Sequence, residues 1–213
     1  MKSLLFIVSA PSGTGKTSLC RKVTKEIPGL LYSVSYTTRK PRSGEVDGKD
    51  YFFVSPKKFQ EMMDQGLFVE WTEVYGNRYG TSKALIERLI EEKVDVLFDI
   101  DSQGARKILE LYPQGISIFI LPPSLDELEK RLKKRGTDTP ETVASRLKLA
   151  EKEMEDAGFY HYRVVNDSFD DAVQQLKEII TTERRRKKHG TGEVRSAECG
   201  MGMEPIKRRK SEI

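Results

Sequence analysis

Short apolar runs and longer amphipathic stretches alternate along most of the chain. Leu4 to Val8 is a continuous apolar run bounded by Pro11 and Gly13, the pattern of a strand buried on both faces. After Gly15, the positions Leu19, Val23 and Ile27 recur at helical spacing until Pro28-Gly29 stops them. Residues 30–54 show strand-like ends around a loop rich in Gly, Arg and Lys. Ser55-Pro56 then reads as a helix start, with Phe59, Met62 and Met63 as its apolar face. LFVEWTEV alternates like a strand, YGNRYG reads as a turn-rich link, and Thr81-Ser82 caps a helix carrying Leu85, Leu89 and Ile90. VDVLFDI predicts a strand, followed by a short helix with Ile108 and Leu111 inward. ISIFIL is a second core strand. SLDELEKRLKKR follows as a helix with Leu125, Leu128 and Leu132 inward, and residues 140–156 as a highly charged one carrying Val143, Leu147 and Met154. YRVVN closes the strands, and FDDAVQQLKEIITTERRRKK forms the final helix. Alternation of this kind predicts an α/β fold, a parallel sheet with helices on both faces.

Composition narrows the class. The 213 residues are 37% hydrophobic and 33% charged, as in a globular chain with a very polar surface. No apolar stretch approaches the ~20 residues needed to span a bilayer, and the initial run is too short for a secretory signal. The two cysteines, Cys20 and Cys199, make no disulfide framework or metal site, and a reducing cytoplasm is the expected setting. From Glu183 onward there are ten Lys/Arg and five Asp/Glu, so that of the totals 37 and 33, the preceding part holds 27 and 28. The net charge of +4 therefore belongs to the tail, and no specific nucleic-acid partner is inferred. Residues 189–213, aperiodic and rich in Gly, Ser, Glu and Met, are expected to be a disordered basic tail.

The first candidate chemistry is APSGTGKT, from Ala10 to Thr17. It fits the phosphate-binding pattern G-x-x-x-x-G-K-[ST] except that Ala10 replaces the first glycine. A buried strand precedes it and a helix follows, so backbone N–H groups and a helix N-terminus can surround a phosphate. Within Ala10, Pro11, Ser12, Gly13, Thr14 and Gly15 the loop supplies the cradle. Lys16 would reach the β- and γ-phosphates of ATP, and the Thr17 hydroxyl would ligate Mg²⁺. The alternative is a Ser/Gly turn capping a helix beside an incidental lysine.

The second is SVSYTTRKPRSGEVDGKDYFF. Arg39 and Arg42, with Tyr51, bring two guanidinium forks and a phenol into one loop-bounded segment, which suits a second phosphate. Further on, Glu70 lies between Phe68 and Trp71, and a carboxylate on such a strand is costly unless paired. Guanine presents N1–H and its exocyclic amine side by side, a match for two carboxylate oxygens that adenine lacks. Asp99 and Asp101 are expected on one face at a strand's end.

Several blocks together resemble the guanylate kinases: APSGTGKT, TTRKPRSGEVDGKDYFF, FVEWTEVYGNRYGTS, LFDIDSQG, KRLKKRGTDTPETVASRL and VVND, in that order. The resemblance runs from residue 4 to about 187; Ala10 and Tyr36 depart from its usual pattern. It implies a P-loop core (1–33, 85–125 and 157–188), a GMP-binding insertion (34–84) and a helical lid (126–156). It also implies an Mg²⁺-dependent transfer from ATP to GMP, and to dGMP. By the same resemblance Ser35 and Glu70 read the guanine, assisted by Thr81 and Asp101. Arg39, Arg42, Tyr51 and Tyr79 hold the GMP phosphate. Asp99 and Asp101 would orient arginines or metal-bound water. Arg131, Arg135 and Arg146 belong to the lid as phosphate ligands, with Lys16, Arg39, Arg135 and Arg146 the catalytic set. Asn166 and Asp167 would lie near the adenine, whereas His161 and His189 have no partner pattern.

Two other readings compete. A P-loop kinase for another acceptor, such as an adenylate or shikimate kinase, leaves Glu70 and TTRKPRSGE without a purpose. A non-catalytic guanylate-kinase-like module, of the kind that binds phosphopeptides, leaves Lys16, Thr17 and the lid arginines without one.

Overall fold

The computed structural model describes residues 3–134, 136 and 139–189; Arg135 and segment 190–213 lie outside the described residues. Strand β1 (Leu5–Ser9) leads into helix α1 (Lys16–Glu26) and β2 (Leu30–Ser33). Three short elements and a hairpin follow: β3 (Tyr36–Thr37), β4 (Phe52–Phe53), α2 (Pro56–Asp64), then β5 (Phe68–Val74) and β6 (Asn77–Ser82). Then come α3 (Lys83–Glu91), β7 (Asp95–Asp99), α4 (Ser102–Leu111) and β8 (Ile116–Leu121). Helices α5 (Leu125–Lys134) and α6 (Pro140–Glu155), a 3₁₀ turn (Asp156–Phe159), β9 (Tyr162–Val165) and α7 (Phe169–Lys188) complete the described chain.

Two sheets result. One is parallel throughout, in the order β2-β7-β1-β8-β9. Its central strands β1 and β8 are buried along their whole length, which is why both read as unbroken apolar runs. Alternate residues divide between two layers. Phe6 and Val8 pack with Leu19, Val23 and Leu176 on the α1–α7 side, while Leu5 and Ile7 pack with Ile86, Leu89 and Ile108 on the α3–α4 side. Because β7 and β8 flank β1 on opposite sides, the chain leaves β1 at a topological switch point, where a crevice opens beyond the strand's carboxyl end.

The second sheet, β4-β3-β6-β5, is built from residues 36–82 and contains antiparallel pairs. Here YGNRYG is not a link: Asn77–Ser82 is the return strand of a hairpin, and only Tyr75 and Gly76 turn, both at positive φ. Gly80 sits inside that strand because a Cβ there would come within 2.9 Å of the Phe68 ring. Other expectations also shift. Ile86 joins Leu89 as the buried pair of α3, in place of Leu85 and Ile90, and Leu111 is 58% exposed. Ser82 alone caps α3. Asp101 is not on a strand at all: β7 ends at Asp99, and Asp101 caps α4.

Helices α5 and α6 form an arm with its own small core of Leu128, Leu132, Val143 and Ala150. Leu132 lies so close to the loop after β1 that a Cβ on Gly13 would come within 2.8 Å of it. On the opposite side, Arg21 of α1 reaches the loop that leads into β4. Its Nη1 pairs with Asp50 at 2.8 Å, its Nη2 donates to the Lys49 carbonyl at 3.0 Å, and the guanidinium lies 5.3 Å above the Tyr32 ring.

Candidate active site

Among the described helices, α1 begins differently. Side chains of Ser55, Ser82, Asp101, Ser124, Thr139 and Ser168 accept hydrogen bonds from the first turns of the six others. Helix α1 starts instead at Gly15, at φ 88°, with no side-chain cap. Its first N–H groups have no side-chain acceptor and border the crevice, an arrangement that suits an anion. Gly13 at φ 97° completes the loop, and a Cβ on Gly15 would press to 2.8 Å from the Asn166 amide.

Lys16 and Asp99 meet at this loop. The Lys16 Nζ stands 2.8 Å from Asp99 Oδ1 and donates to the Ile100 carbonyl. Burial alone would lower the lysine, but Asp99 overrides it and the Lys16 pKa is raised. Burial likewise works against ionised Asp99, yet Lys16, Thr17 and Tyr32 hold its carboxyl below the ordinary value. Tyr32 donates to Asp99 Oδ2 at 2.8 Å. Lys16 is therefore held in its charged form.

A cleft of about 440 Å³ extends from this point across to the second sheet. The residues from Ala10 to Thr17 line it, as do Ser35, Arg39, Arg42, Tyr51, Glu70, Tyr79, Asp99, Asp101, Arg131 and Arg146. Arg39 is held in a bidentate pair by Glu45, at 2.8 and 3.0 Å, and lies 5.3 Å from the Tyr51 ring centre. Glu45 also accepts from the Arg42 backbone N–H at 2.7 Å, so one carboxylate shapes both arginine positions. Burial, with Asp99 adding, pushes the Tyr51 phenol up to about 12.

Glu70 occupies the far side. The pairing of β5 with β6 slips between Phe68 and Glu70, a bulge that sends Phe68 onto Phe59 and turns Glu70 to the other face, against Gly104 of α4. Glu70 is 6% exposed and accepts from the Thr81 hydroxyl at 2.5 Å. Burial raises its carboxyl to about 7, Thr81 opposing and Asp101 adding to the rise. Among the described residues no cation forms an ion pair with it. Asp101 next to it is committed structurally, capping α4 through Oδ1 and accepting from Thr72 through Oδ2.

Some expected residues serve from behind. Thr81 does not line the cleft and acts on Glu70 instead. Asn166 is also outside the lining: its amide donates to the Thr14 carbonyl at 2.5 Å and supports the loop's rear, while Asp167 is exposed. Arg131 lies between these parts, pairing with Glu127 at 3.2 Å and donating to the Asn166 carbonyl at 2.9 Å. Arg146 donates to Ser12 at 3.0 Å and covers the Tyr75 ring at 4.9 Å, so the arm touches both the loop and the hairpin turn. His161 is bonded to Ser117 at the other end of the sheet. Tyr75, Asn77 and Glu153 line the cleft without having been foreseen. Glu153 falls seven residues after Arg146 on one helix, but nothing in the sequence sets it apart from the other acids around it.

Comparisons with known proteins point to one family. A family model described as guanylate kinase matches residues 2–183. A guanylate kinase of Geobacter metallireducens is 48% identical over 185 residues, 87% of this chain and 91% of the relative. That of Nitratidesulfovibrio vulgaris is 51% identical over 174 residues, 82% and 84% of the two chains. The crystal structure of a guanylate kinase from Anaplasma phagocytophilum superposes with a TM-score of 0.73 at 32% identity, covering 85% of this chain and 86% of that one. Backed by an uncapped, lysine-bearing anion loop opposite a buried carboxylate, these matches mean that the chain belongs to the guanylate kinase family, ATP:GMP phosphotransferases of the P-loop kinase fold.

Proposed function

We propose that this chain transfers the γ-phosphoryl group of ATP to GMP, and to dGMP, through the residues gathered in the cleft. The observation that carries the reading is the pairing of opposites across one cavity. Among the described residues, the one α-helix start without a side-chain cap, carrying a charged lysine, faces a buried carboxylate that forms no ion pair. The first suits a polyphosphate, the second a base with two adjacent donors.

In this reading the second sheet is the GMP-binding subdomain and the α5–α6 arm is the lid. Glu70, ionised on binding, accepts from guanine N1–H and the 2-amino group, with Ser35 and Asp101 at the edge. Arg39, Arg42, Tyr51 and Tyr79 hold the acceptor phosphate. An oxygen of that phosphate attacks the γ-phosphorus while the bond to the β–γ bridging oxygen breaks, leaving ADP and GDP. The acceptor is already a nucleophile, so the protein's work is alignment and neutralisation of charge. Lys16 and Arg146 supply positive charge around the transferred group, and Arg135 is assigned the same task. Arg131 and Asn166 hold the ATP side. The contact of Arg146 with Ser12 and Tyr75 closes the cleft against water, which would otherwise accept the phosphoryl group.

The donor set fits Mg²⁺ arriving with its nucleotide. Among the described residues no cluster of three His, Cys, Asp or Glu can hold a metal alone, and the Thr17 hydroxyl beside Asp99 suits a hard cation carried mainly by phosphate oxygens. When bound, the ion neutralises charge on the β- and γ-phosphates. The fully buried, free Cys20 suits the reducing cytoplasm proposed as the compartment, and no described helix is long and apolar enough to cross a membrane.

The test is ADP release with ATP and GMP, against AMP, shikimate and no acceptor. GMP-dependent ADP formation at least ~100-fold above AMP is expected for a site that pairs polar groups. Equal rates with AMP would overturn the guanine assignment.

A further inference from the structure

One acidic side chain in the cleft has no part in the scheme above. Glu153 sits near the C-terminal end of α6, partly buried, and faces the same cavity as Lys16. Burial raises its carboxyl to about 7, with Ser102 and Lys16 opposing the rise and Asp101 and Asp156 adding to it. A carboxylate in a polyphosphate site repels the ligand unless something holds it aside. Ser102 does so: its hydroxyl donates to Glu153 Oε1 at 3.1 Å. Ser102 is the first residue of α4, where the helix dipole favours an anion. Its hydroxyl also lies 3.3 Å from that of Ser9, the last residue of β1 before the anion loop.

Arg146 and Glu153 are seven residues apart, on one face of α6 and about 10 Å apart along its axis. Between them the helix buries Ala150 in the small core of the arm. Helix α6 is thus tied to the core at two points: Glu153 on Ser102, and Arg146 on Ser12. The first lies beside the chain's return to the sheet; the second lies farther out, over the loop.

We propose that Glu153 is a positioning residue for Arg146, its hydrogen bond to Ser102 setting the placement of α6 that brings the guanidinium over the anion loop. The effect on turnover rests on the kinase reading; the anchor itself does not.

The experiment is a double-mutant cycle in the full chain with Glu153→Ala and Arg146→Ala, alongside Glu153→Gln and thermal melting of each. Glu153→Ala is expected to lower kcat roughly 5- to 10-fold, as for loss of one hydrogen bond, with KM for GMP within about twofold. Glu153→Gln keeps an acceptor oxygen and should restore most of the rate. Added to Arg146→Ala, the Glu153→Ala change should cost nothing further. Amide hydrogen exchange over residues 140–155 should rise in Glu153→Ala and not in Glu153→Gln, whether or not GMP is turned over. Multiplying effects in the cycle, a Gln variant as slow as Ala, or unchanged exchange would each overturn the proposal. If Glu153→Ala shows no melting transition, Ser102→Ala removes the same bond from the donor side and carries the same comparisons. A wild-type chain without GMP-dependent turnover would refute the kinase reading, and exchange would then decide the anchor alone.

Discussion

Replacing Gly104 by alanine would separate the shape of the proposed guanine site from its hydrogen bonding. Gly104 is the third residue of α4 and its backbone is not in the left-handed region, so alanine fits the local conformation. On helix propensity alone the change stabilises, by at most about 1 kcal/mol in a helix interior and less in the first turn. The added Cβ, however, would stand 2.8 Å from Glu70 Oε2 and 3.3 Å from its Cδ. That is about half an ångström inside the ~3.3 Å at which carbon and oxygen ordinarily touch. The carboxylate cannot swing clear at no cost, because it is 6% exposed and its other oxygen is tied to Thr81 at 2.5 Å. It must tilt, or break that bond. Misplacement by about 1 Å costs a reaction on the order of 100-fold, so kcat/KM for GMP should fall roughly 10- to 100-fold. Coupled assay of ADP formation, with a thermal melt of the same sample, reads both quantities. A folded Gly104→Ala protein with wild-type kcat/KM would mean that Glu70 is not the guanine acceptor.

Lys16→Met should abolish phosphoryl transfer while GMP still binds by calorimetry; because it strands Asp99 in a buried site, it should also lower Tm, and the added Asp99→Asn change should recover Tm but not turnover. Arg42→Met should weaken GMP binding by on the order of 2–5 kcal/mol and leave guanosine binding nearly unchanged; equal losses for both ligands would remove Arg42 from the phosphate site. Inhibition by guanosine should strengthen about tenfold per pH unit up to about 7 and then level off, since burial holds the Glu70 proton to about 7 in the free protein and the guanine donors need the ionised form. Guanosine has no phosphate to titrate, and a flat inhibition constant between pH 6 and 8 would contradict the assignment.

The core was legible because its signals are local. An unbroken apolar run, a glycine-rich loop and an i, i+4 stripe each lie within a dozen residues, and β1, the anion loop and α1 follow from them. The hairpin was not, because Gly76 and Gly80 look alike in sequence. One turns the chain; the other is a strand residue whose hydrogen makes room for Phe68 and Phe59, residues contributed by other elements. Asp101 shows the same limit: two residues after Asp99 it looks like a strand partner, and only the start of α4 reveals it as a cap. Glu70 could be singled out as a carboxylate among apolar neighbours, but the bulge that turns it inward could not. Glu153 was hidden among the charges of EKEMEDAG, where a cleft-facing carboxylate and a solvated one carry the same letter.

The bond between Arg21 and Asp50 has a kinetic consequence. It joins the core to the loop before Tyr51, outside the cleft, and each side chain keeps about a fifth of its surface in water, 24% and 20%. An ion pair of that exposure is worth on the order of 1 kcal/mol, enough to delay separation of the two parts about fivefold. Products must escape in every cycle, and kinases of this chemistry turn over at roughly 1–100 s⁻¹. A seam of buried apolar side chains in the same place would hold GDP far longer than that. A partly wet ion pair instead gives a clasp that thermal motion can undo within a turnover, and whose grip loosens as salt is added.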